Sequence, residues 1–191
     1  ADFIPNRVYI GADFGFADYN AIITLAADTV HKRAYVYRES KFNHAGVGDI
    51  VADIRKAYEG AKQLILERNH NVPLDEAIMV ICDQNEKSIA YELVETYQIN
   101  AYCAYKYDKD MAIEQLAGLL RTGEINIIEG GVLEDEAKHT VHPRDEDTDA
   151  ILPGYDDEVY HPDAFDSLLY VSRQYLYETG GDLGGQGQKV E

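Results

Sequence analysis

Four aspartates stand at positions in the chain where their carboxylates could act together. Asp13 follows directly after one apolar, strand-like run, and Asp83 follows directly after another, much later in the sequence. Asp163 and Asp166 stand where the last helix is predicted to begin. Hard divalent cations such as Mg2+ and Mn2+ prefer oxygen ligands of this kind. The pattern therefore predicts a metal site assembled from several elements.

Each aspartate taken alone also has a structural explanation. Asp13 is compatible with a simple Asx turn, Asp83 with the end of a strand, and Asp163 with a charge at a helix N-terminus. Helix capping explains one of Asp163 and Asp166 easily and the second less well, because their spacing puts both on the same helix face. Carboxylates gathered without a cation repel each other, so the four together favour a metal site. Two ions in such a site can activate a water and stabilise the leaving oxygen of a phosphoryl displacement.

Composition limits the classes of function that fit this chain. It has 191 residues, of which 46% are hydrophobic, so one domain with a substantial core is expected. No apolar stretch approaches the roughly 18 to 20 residues that cross a bilayer, so no membrane partner is expected. Cys82 and Cys103 are expected to be buried free thiols, and no zinc-type spacing is found. The net charge of −18 opposes binding to nucleic acid. A prediction of a nucleic-acid enzyme must therefore rest on the aspartate site and not on the composition.

Periodicity and residue type predict the order of the elements. The predicted strands are 7–12, 20–27, 33–39, 77–82, 99–105 and 125–128. The predicted helices are 46–69, 86–97, 109–121 and 162–177. This order predicts an α/β fold of the ribonuclease H-like kind, in which antiparallel hairpin strands and parallel strand-helix units form one mixed sheet flanked by helices. The first and fourth strands are neighbours in that arrangement, which would place Asp13 beside Asp83.

The domain is expected to span residues 1–178. Residues 130–160 are polar and acidic and are predicted to form a long loop or hairpin. Residues 179–191 are predicted to form a flexible, glycine-rich tail. The acidic runs at 145–149 and 156–158 have two interpretations. They are either solvated loops or acidic segments that repel DNA near the four aspartates.

Several stretches resemble the nuclease motifs of the large terminase subunits of tailed bacteriophages. The stretch 9–15, with Asp18 following, resembles the first motif, and 82–93 resembles the second, in which an acidic residue ends a strand before a helix. The stretch 161–170 is similar to the third motif, and 106–110 to the lysine-bearing segment that precedes it. The likeness extends from about residue 7 to 177, with the motifs in order.

The resemblance implies a metal-dependent endonuclease that hydrolyses phosphodiester bonds in double-stranded viral DNA during genome packaging, with little sequence specificity. It implies Mg2+ or Mn2+, as two ions, held by the catalytic residues Asp13, Asp83, Asp163 and Asp166. It further implies supporting or DNA-contacting roles for Asp18, Lys87, Lys106, Lys109 and His161. The implied partners are double-stranded DNA, an ATPase domain normally in the same polypeptide, the small terminase subunit and the portal. The implied location is the cytoplasm of the infected bacterial host.

Two departures from the family pattern are visible. Leu169 stands where the third motif usually has arginine, and members differ in which of the positions of Asp163 and Asp166 supplies the ligand. The chain contains no GxxxxGK[ST] phosphate loop, so no ATPase site is expected in it.

Alternatives remain open on the sequence alone. A strand-terminal Asp-x-Gly also occurs in Holliday-junction resolvases of the same fold and in actin-like ATPases, although no second glycine-rich phosphate loop supports an ATPase. A non-enzymatic, acidic docking domain that binds a cation structurally is the third alternative, and the net charge of −18 is its main support.

Overall fold

A computed structural model describes residues 2–14, 19–43, 46–84, 87–104, 106, 108–140, 162–181 and 188–189. The strands are β1 (Arg7–Asp13), β2 (Tyr19–Asp28), β3 (Arg33–Asn43), β4 (Ile78–Cys82), β5 (Ala101–Cys103), β6 (Ile125–Asn126) and β7 (Gln188–Lys189). The helices are α1 (Val47–Arg68), α2 (Leu74–Ala77), α3 (Lys87–Tyr97), α4 (Lys109–Thr122), α5 (Val132–His139) and α6 (Asp163–Glu178). None of these helices is both long enough and apolar enough to cross a membrane.

One mixed sheet forms the centre of the domain, with the strand order β6-β3-β2-β1-β4-β5-β7. Strands β1, β2 and β3 pair antiparallel, whereas β4 pairs parallel to β1 and β5 parallel to β4. The predicted ribonuclease H-like α/β fold, with the first and fourth strands side by side, is therefore confirmed. The register of β1 and β4 places Ala12 opposite Cys82, so both strands end at the same edge of the sheet.

Helices cover both faces of the sheet. Alternate residues of β1 point to opposite faces, so Val8 and Ile10 join the core beneath α1 and α3, whereas Tyr9 joins the core beneath α4, α5 and α6. The apolar run of β4 has no alternation because both faces of this strand are buried, as expected for a central parallel strand.

Helix α6 crosses β1 and β2 at very close range. A Cβ atom on Gly11 would overlap the carbonyl oxygen of Ser167 and lie 2.9 Å from Cγ1 of Val171. The hydroxyl of Ser167 donates a hydrogen bond to the carbonyl oxygen of Ala21 in β2 (3.1 Å). The absence of a side chain at Gly11 therefore fixes how closely α6 approaches the sheet.

The structure corrects the sequence prediction in several places. Residues 132–139, predicted to lie in a loop or hairpin, form α5, because Leu133 and Glu136 both face the core. Residue 77 ends the short helix α2 instead of beginning a strand. At the end of the chain, where a flexible tail is predicted, residues 188–189 pair antiparallel with β5. Most of the predicted excursion, 141–160, lies outside the described residues.

The close contact between α6 and β1 predicts that Gly11→Ala destabilises the domain. Overpacking against the backbone of α6 should lower the free energy of unfolding by about 1–3 kcal/mol. Gly60→Ala is the matched control, because a Cβ atom there, on the exposed face of α1, meets nothing within 4 Å. That variant should gain about 0.5–1 kcal/mol, because alanine favours the helix over glycine. Equal stability of the two variants in urea unfolding would contradict the close approach of α6.

Candidate metal centre at the carboxyl ends of the central strands

The topology brings Asp13 and Asp83 to the same edge of the sheet. Asp13 is the last residue of β1, and Asp83 follows directly after β4, its parallel neighbour. The ladder continues past the strand, because the amide of Asp83 donates a hydrogen bond to the carbonyl oxygen of Ala12 (3.0 Å). Only 6% of Asp83 is exposed to solvent. Its carboxylate is therefore held at the edge by the backbone of the neighbouring strand.

Helix α6 delivers a third carboxylate and a hydroxyl to this edge. Asp166 and Tyr170 lie one turn apart on α6, and the Tyr170 hydroxyl donates a hydrogen bond to Oδ1 of Asp13 (3.0 Å). The ring of Tyr170 is buried, so its hydroxyl needs a polar partner at this position. The hydrogen bond ties the orientation of the Asp13 carboxylate to α6.

The electrostatics of the site place the carboxylates of Asp166 and Asp83 near that of Asp13. Burial, and then the negative charges of Asp166 and Asp83, raise the pKa of Asp13 from 3.8 to about 8. The Tyr170 hydrogen bond and the positive charge of Lys106 oppose this rise in pKa without cancelling it. Burial and the same three carboxylates also raise the pKa of Tyr170 well above its ordinary value. Tyr170 therefore acts as a neutral hydrogen-bond donor.

Two lysines pair with the carboxylates. Nζ of Lys106 lies 2.7 Å from Oδ1 of Asp83 and 5.4 Å from the centre of the Tyr170 ring. Nζ of Lys109 lies 3.1 Å from Oδ2 of Asp166. Both lysines line a small cleft beside the cluster, with a volume of about 90 Å3, whose walls are Lys106, Lys109, Asp166, Leu169, Tyr170 and Arg173.

Two of the other residues singled out in the sequence, Asp163 and Lys87, interact with other partners. Asp163 points to a separate ion pair, with its Oδ2 3.1 Å from Nζ of Lys41. Lys87 lies near Cys103. Burial raises the pKa of the Cys103 thiol, and the positive charge of Lys87 lowers it. Asp18 and His161 lie outside the described residues.

The donor set suits a hard divalent cation, because Asp13, Asp83 and Asp166 offer only oxygen and their mutual repulsion is what a cation would relieve. Among the residues that the structure describes, no three His, Cys, Asp or Glu side chains are gathered closely enough to hold an ion as they stand. Lys106 and Lys109 supply the compensating charge to two of the three carboxylates instead.

Four side chains around the site were not predicted from the sequence. Tyr170 and Arg173 lie on the same helix as Asp166, and helical spacing from Asp166 could have identified Tyr170. Lys41 and Glu136 form a 2.6 Å ion pair between β3 and α5. No sequence signal identifies this pair, because Glu136 lies in a segment rich in acidic residues.

The raised pKa of Asp13 predicts that the metal-free domain loses stability as the pH rises. The folded state keeps a proton on Asp13 that the unfolded chain releases near pH 4, so stability falls between about pH 4 and about pH 8. Asp13→Asn removes this titration, and its amide oxygen still accepts the Tyr170 hydrogen bond. In EDTA at about pH 8 it should exceed the wild type by more than about 1.4 kcal/mol in unfolding free energy, the equivalent of one pKa unit. The gain should shrink towards about pH 4, where the wild-type carboxyl is also neutral.

Urea unfolding across this pH range is the measurement, and Asp110→Asn, at an exposed position of α4, is the matched control. A gain from Asp13→Asn that is the same at both ends of the pH range would contradict the raised pKa of Asp13, which burial and then the charges of Asp166 and Asp83 cause.

Comparison with known proteins yields structural neighbours but no sequence relatives. No protein-family model matches the chain, and no curated protein matches it.

The solved structures that match include phage large terminases and their nuclease domains. The large terminase nuclease domain of bacteriophage SPP1, with bound Mn, is 20% identical over 86% of this chain and 84% of its own, with a TM-score of 0.59. The large terminase nuclease of thermophilic phage G20c is 25% identical over 88% and 82%, with a TM-score of 0.58, and a structure of it with bound cobalt also matches.

The large terminase of a second thermophilic bacteriophage is 15% identical over 92% of this chain, with a TM-score of 0.63, and this chain spans 41% of that protein. The resemblance to terminase nuclease motifs that the sequence shows thus agrees with the structural neighbours, which cover most of the chain. This chain has the fold of the nuclease domains of phage large terminases.

Proposed function

We propose that this chain is a divalent-metal-dependent endonuclease that cuts double-stranded viral DNA during genome packaging, with little sequence specificity. The observation that carries the proposal is the convergence of Asp13, Asp83 and Asp166 at one edge of the sheet. The fold in which they converge is that of phage nuclease domains, one of which has bound Mn and another bound cobalt. These neighbours support a bound divalent metal in this domain.

Asp13, Asp83 and Asp166 would hold Mg2+ or Mn2+, in the proposal as two ions. When bound, such ions supply an activated water and stabilise the charge on the leaving oxygen of the phosphodiester. We favour Asp166 over Asp163 as the third ligand. The charge of Asp166 contributes to the raised pKa of Asp13, whereas Asp163 is paired with Lys41.

The chain's own side chains have defined roles in this proposal. Tyr170 orients the Asp13 carboxylate through its 3.0 Å hydrogen bond. Lys106 and Lys109 place positive charge in the cleft beside the carboxylates, where the phosphate backbone of DNA would lie. Local positive charge of this kind is required, because a net charge of −18 would otherwise repel DNA from the domain. Lys87, Asp18 and His161 remain candidates for DNA contact.

The proposed setting is a packaging motor. The chain spans 41% of the large terminase of the second thermophilic phage, and another structure of that protein is a complex with ADP. We therefore propose that this nuclease works with an ATPase domain in the same polypeptide, together with the small terminase subunit and the portal. The proposed location is the cytoplasm of the infected bacterial host.

Removal of any one of the three converging carboxylates should abolish cleavage. With supercoiled plasmid and Mn2+, Asp13→Asn, Asp83→Asn and Asp166→Asn should each lower the nicking rate by at least about 100-fold, because even a residue that only supports a metal ligand contributes about 10- to 100-fold. Asp163→Asn should lower the rate by less than about 10-fold, which is below the effect of losing a residue that supports a metal ligand, because its carboxylate is paired with Lys41 instead. Asp110→Asn is the control for a lost exposed charge, and EDTA should stop cleavage by the wild type.

The outcomes of this assay separate the alternatives. A wild type that nicks no faster with Mn2+ than in EDTA would support a non-enzymatic docking domain and contradict the proposal. A strong preference for four-way junctions over linear duplex would favour a resolvase. A larger loss from Asp163→Asn than from Asp166→Asn would contradict the choice of the third ligand.

A further inference from the structure

Helix α6 begins without a cap from its own sequence. Its N-cap residue is Pro162, which has no side-chain oxygen to accept a hydrogen bond from the first amides of the helix. This first turn carries both Asp163 and Asp166. An uncapped first turn would leave the amide of Phe165 buried without an acceptor.

A carboxylate from another helix supplies the missing cap. Oε2 of Glu136, on α5, accepts a hydrogen bond from the amide of Phe165 (2.7 Å). Glu136 is 1% exposed, and a carboxylate this deeply buried is costly unless it is paired. The pairing comes from Lys41 on β3, whose Nζ lies 2.6 Å from Oε1 of Glu136. Burial raises the pKa of Glu136, and the contacts with Lys41 and the Phe165 amide oppose that rise.

The ammonium group of Lys41, on β3, contacts side chains of α5, α6 and β2. Besides Glu136, it pairs with Oδ2 of Asp163 (3.1 Å), at the first position of α6. The same Nζ lies 4.9 Å from the centre of the Tyr19 ring. These contacts connect β3 and β2 of the sheet to the beginning of α6 through a partly buried cation.

Helix α5 is itself fixed to β3 at its beginning. Oε2 of Glu39 accepts a hydrogen bond from the amide of Leu133 (2.8 Å). Gly131 permits this contact, because a Cβ atom there would overlap the Glu39 carboxylate. Two side chains of β3, Glu39 and Lys41, therefore hold α5 where Glu136 can reach the first turn of α6.

We infer that Glu136, supported by Lys41, is a positioning residue for the proposed metal site. It fixes the first turn of α6 and so holds Asp166 against Asp13 and Asp83. This inference rests on the proposed function. The remainder of α6 is held by its packing on β1 and β2, as at Ser167. Loss of the cap should therefore loosen the first turn without unfolding the helix.

Glu136→Ala and Glu136→Gln test this inference, because both remove the same charge and only glutamine keeps an oxygen that can accept from the Phe165 amide. Lys41 keeps Asp163 as an anionic partner in both variants. Binding of Mn2+ is measured by calorimetric titration, and the exposure of the first turn of α6 by amide hydrogen exchange in metal-free protein. Asp135→Ala is the matched control, since it removes an exposed carboxylate from the same helix.

Glu136→Ala should weaken Mn2+ binding about 10- to 100-fold, as loss of a residue that orients a ligand does, and should speed exchange in the first turn of α6. Glu136→Gln should bind Mn2+ at least about threefold more tightly than Glu136→Ala, because it keeps part of the cap. Asp135→Ala should match the wild type in both measurements.

Three results would overturn the inference. Equal weakening by Gln and Ala would show that charge, not the cap, matters. Mn2+ affinity of Glu136→Ala at the wild-type level would show that Asp166 does not depend on Glu136. Failure of Glu136→Ala to fold would show that Glu136 supports the whole domain instead of one turn. A wild type that binds no Mn2+ would contradict the proposed function instead, and hydrogen exchange would still report on the cap.

Discussion

Carboxylates that share one edge of a sheet repel each other, and the architecture of this domain is arranged around that repulsion. Burial, and then the charges of Asp166 and Asp83, raise the pKa of Asp13 to about 8, so the three carboxylates are costly to ionise together. The fold supplies compensation from several elements: a hydroxyl from Tyr170 and two ammonium groups from Lys106 and Lys109. A divalent cation would compensate the same charges more strongly, because it carries twice the charge of an ammonium group.

Helix α6 is the element on which this arrangement depends most. Its approach to the sheet is set at Gly11, where no side chain fits. Beyond its first turn, α6 places Tyr170 against Asp13. The first turn itself is held by the hydrogen bond from the Phe165 amide to Glu136. Packing and capping act on opposite sides of Asp166 and together set the direction of its carboxylate.

The strands and the helix that carry the aspartates could be predicted from the sequence, but the ion pairs that hold them in place could not. The order of the elements predicted correctly that the first and fourth strands are neighbours, which puts Asp13 beside Asp83 because parallel neighbours in a sheet end at the same edge. Helical spacing placed Asp163 and Asp166 on α6 but did not show that they face different partners, because that depends on Lys41, distant in sequence. Helix α5 was predicted as loop, since its short apolar stripe is interrupted by acidic residues, one of which is the buried Glu136. Long-range ion pairs of this kind leave no periodic pattern in a single sequence.

The central claim is that Asp13, Asp83 and Asp166 hold a divalent metal, and a crystal soaked in Mn2+ tests it most directly through anomalous scattering. The account predicts manganese peaks at the edge where β1 and β4 end, within coordinating distance of oxygens from all three residues. Manganese bound at Asp163 and Glu136 instead, or no peak at this edge in a well-ordered crystal, would contradict it.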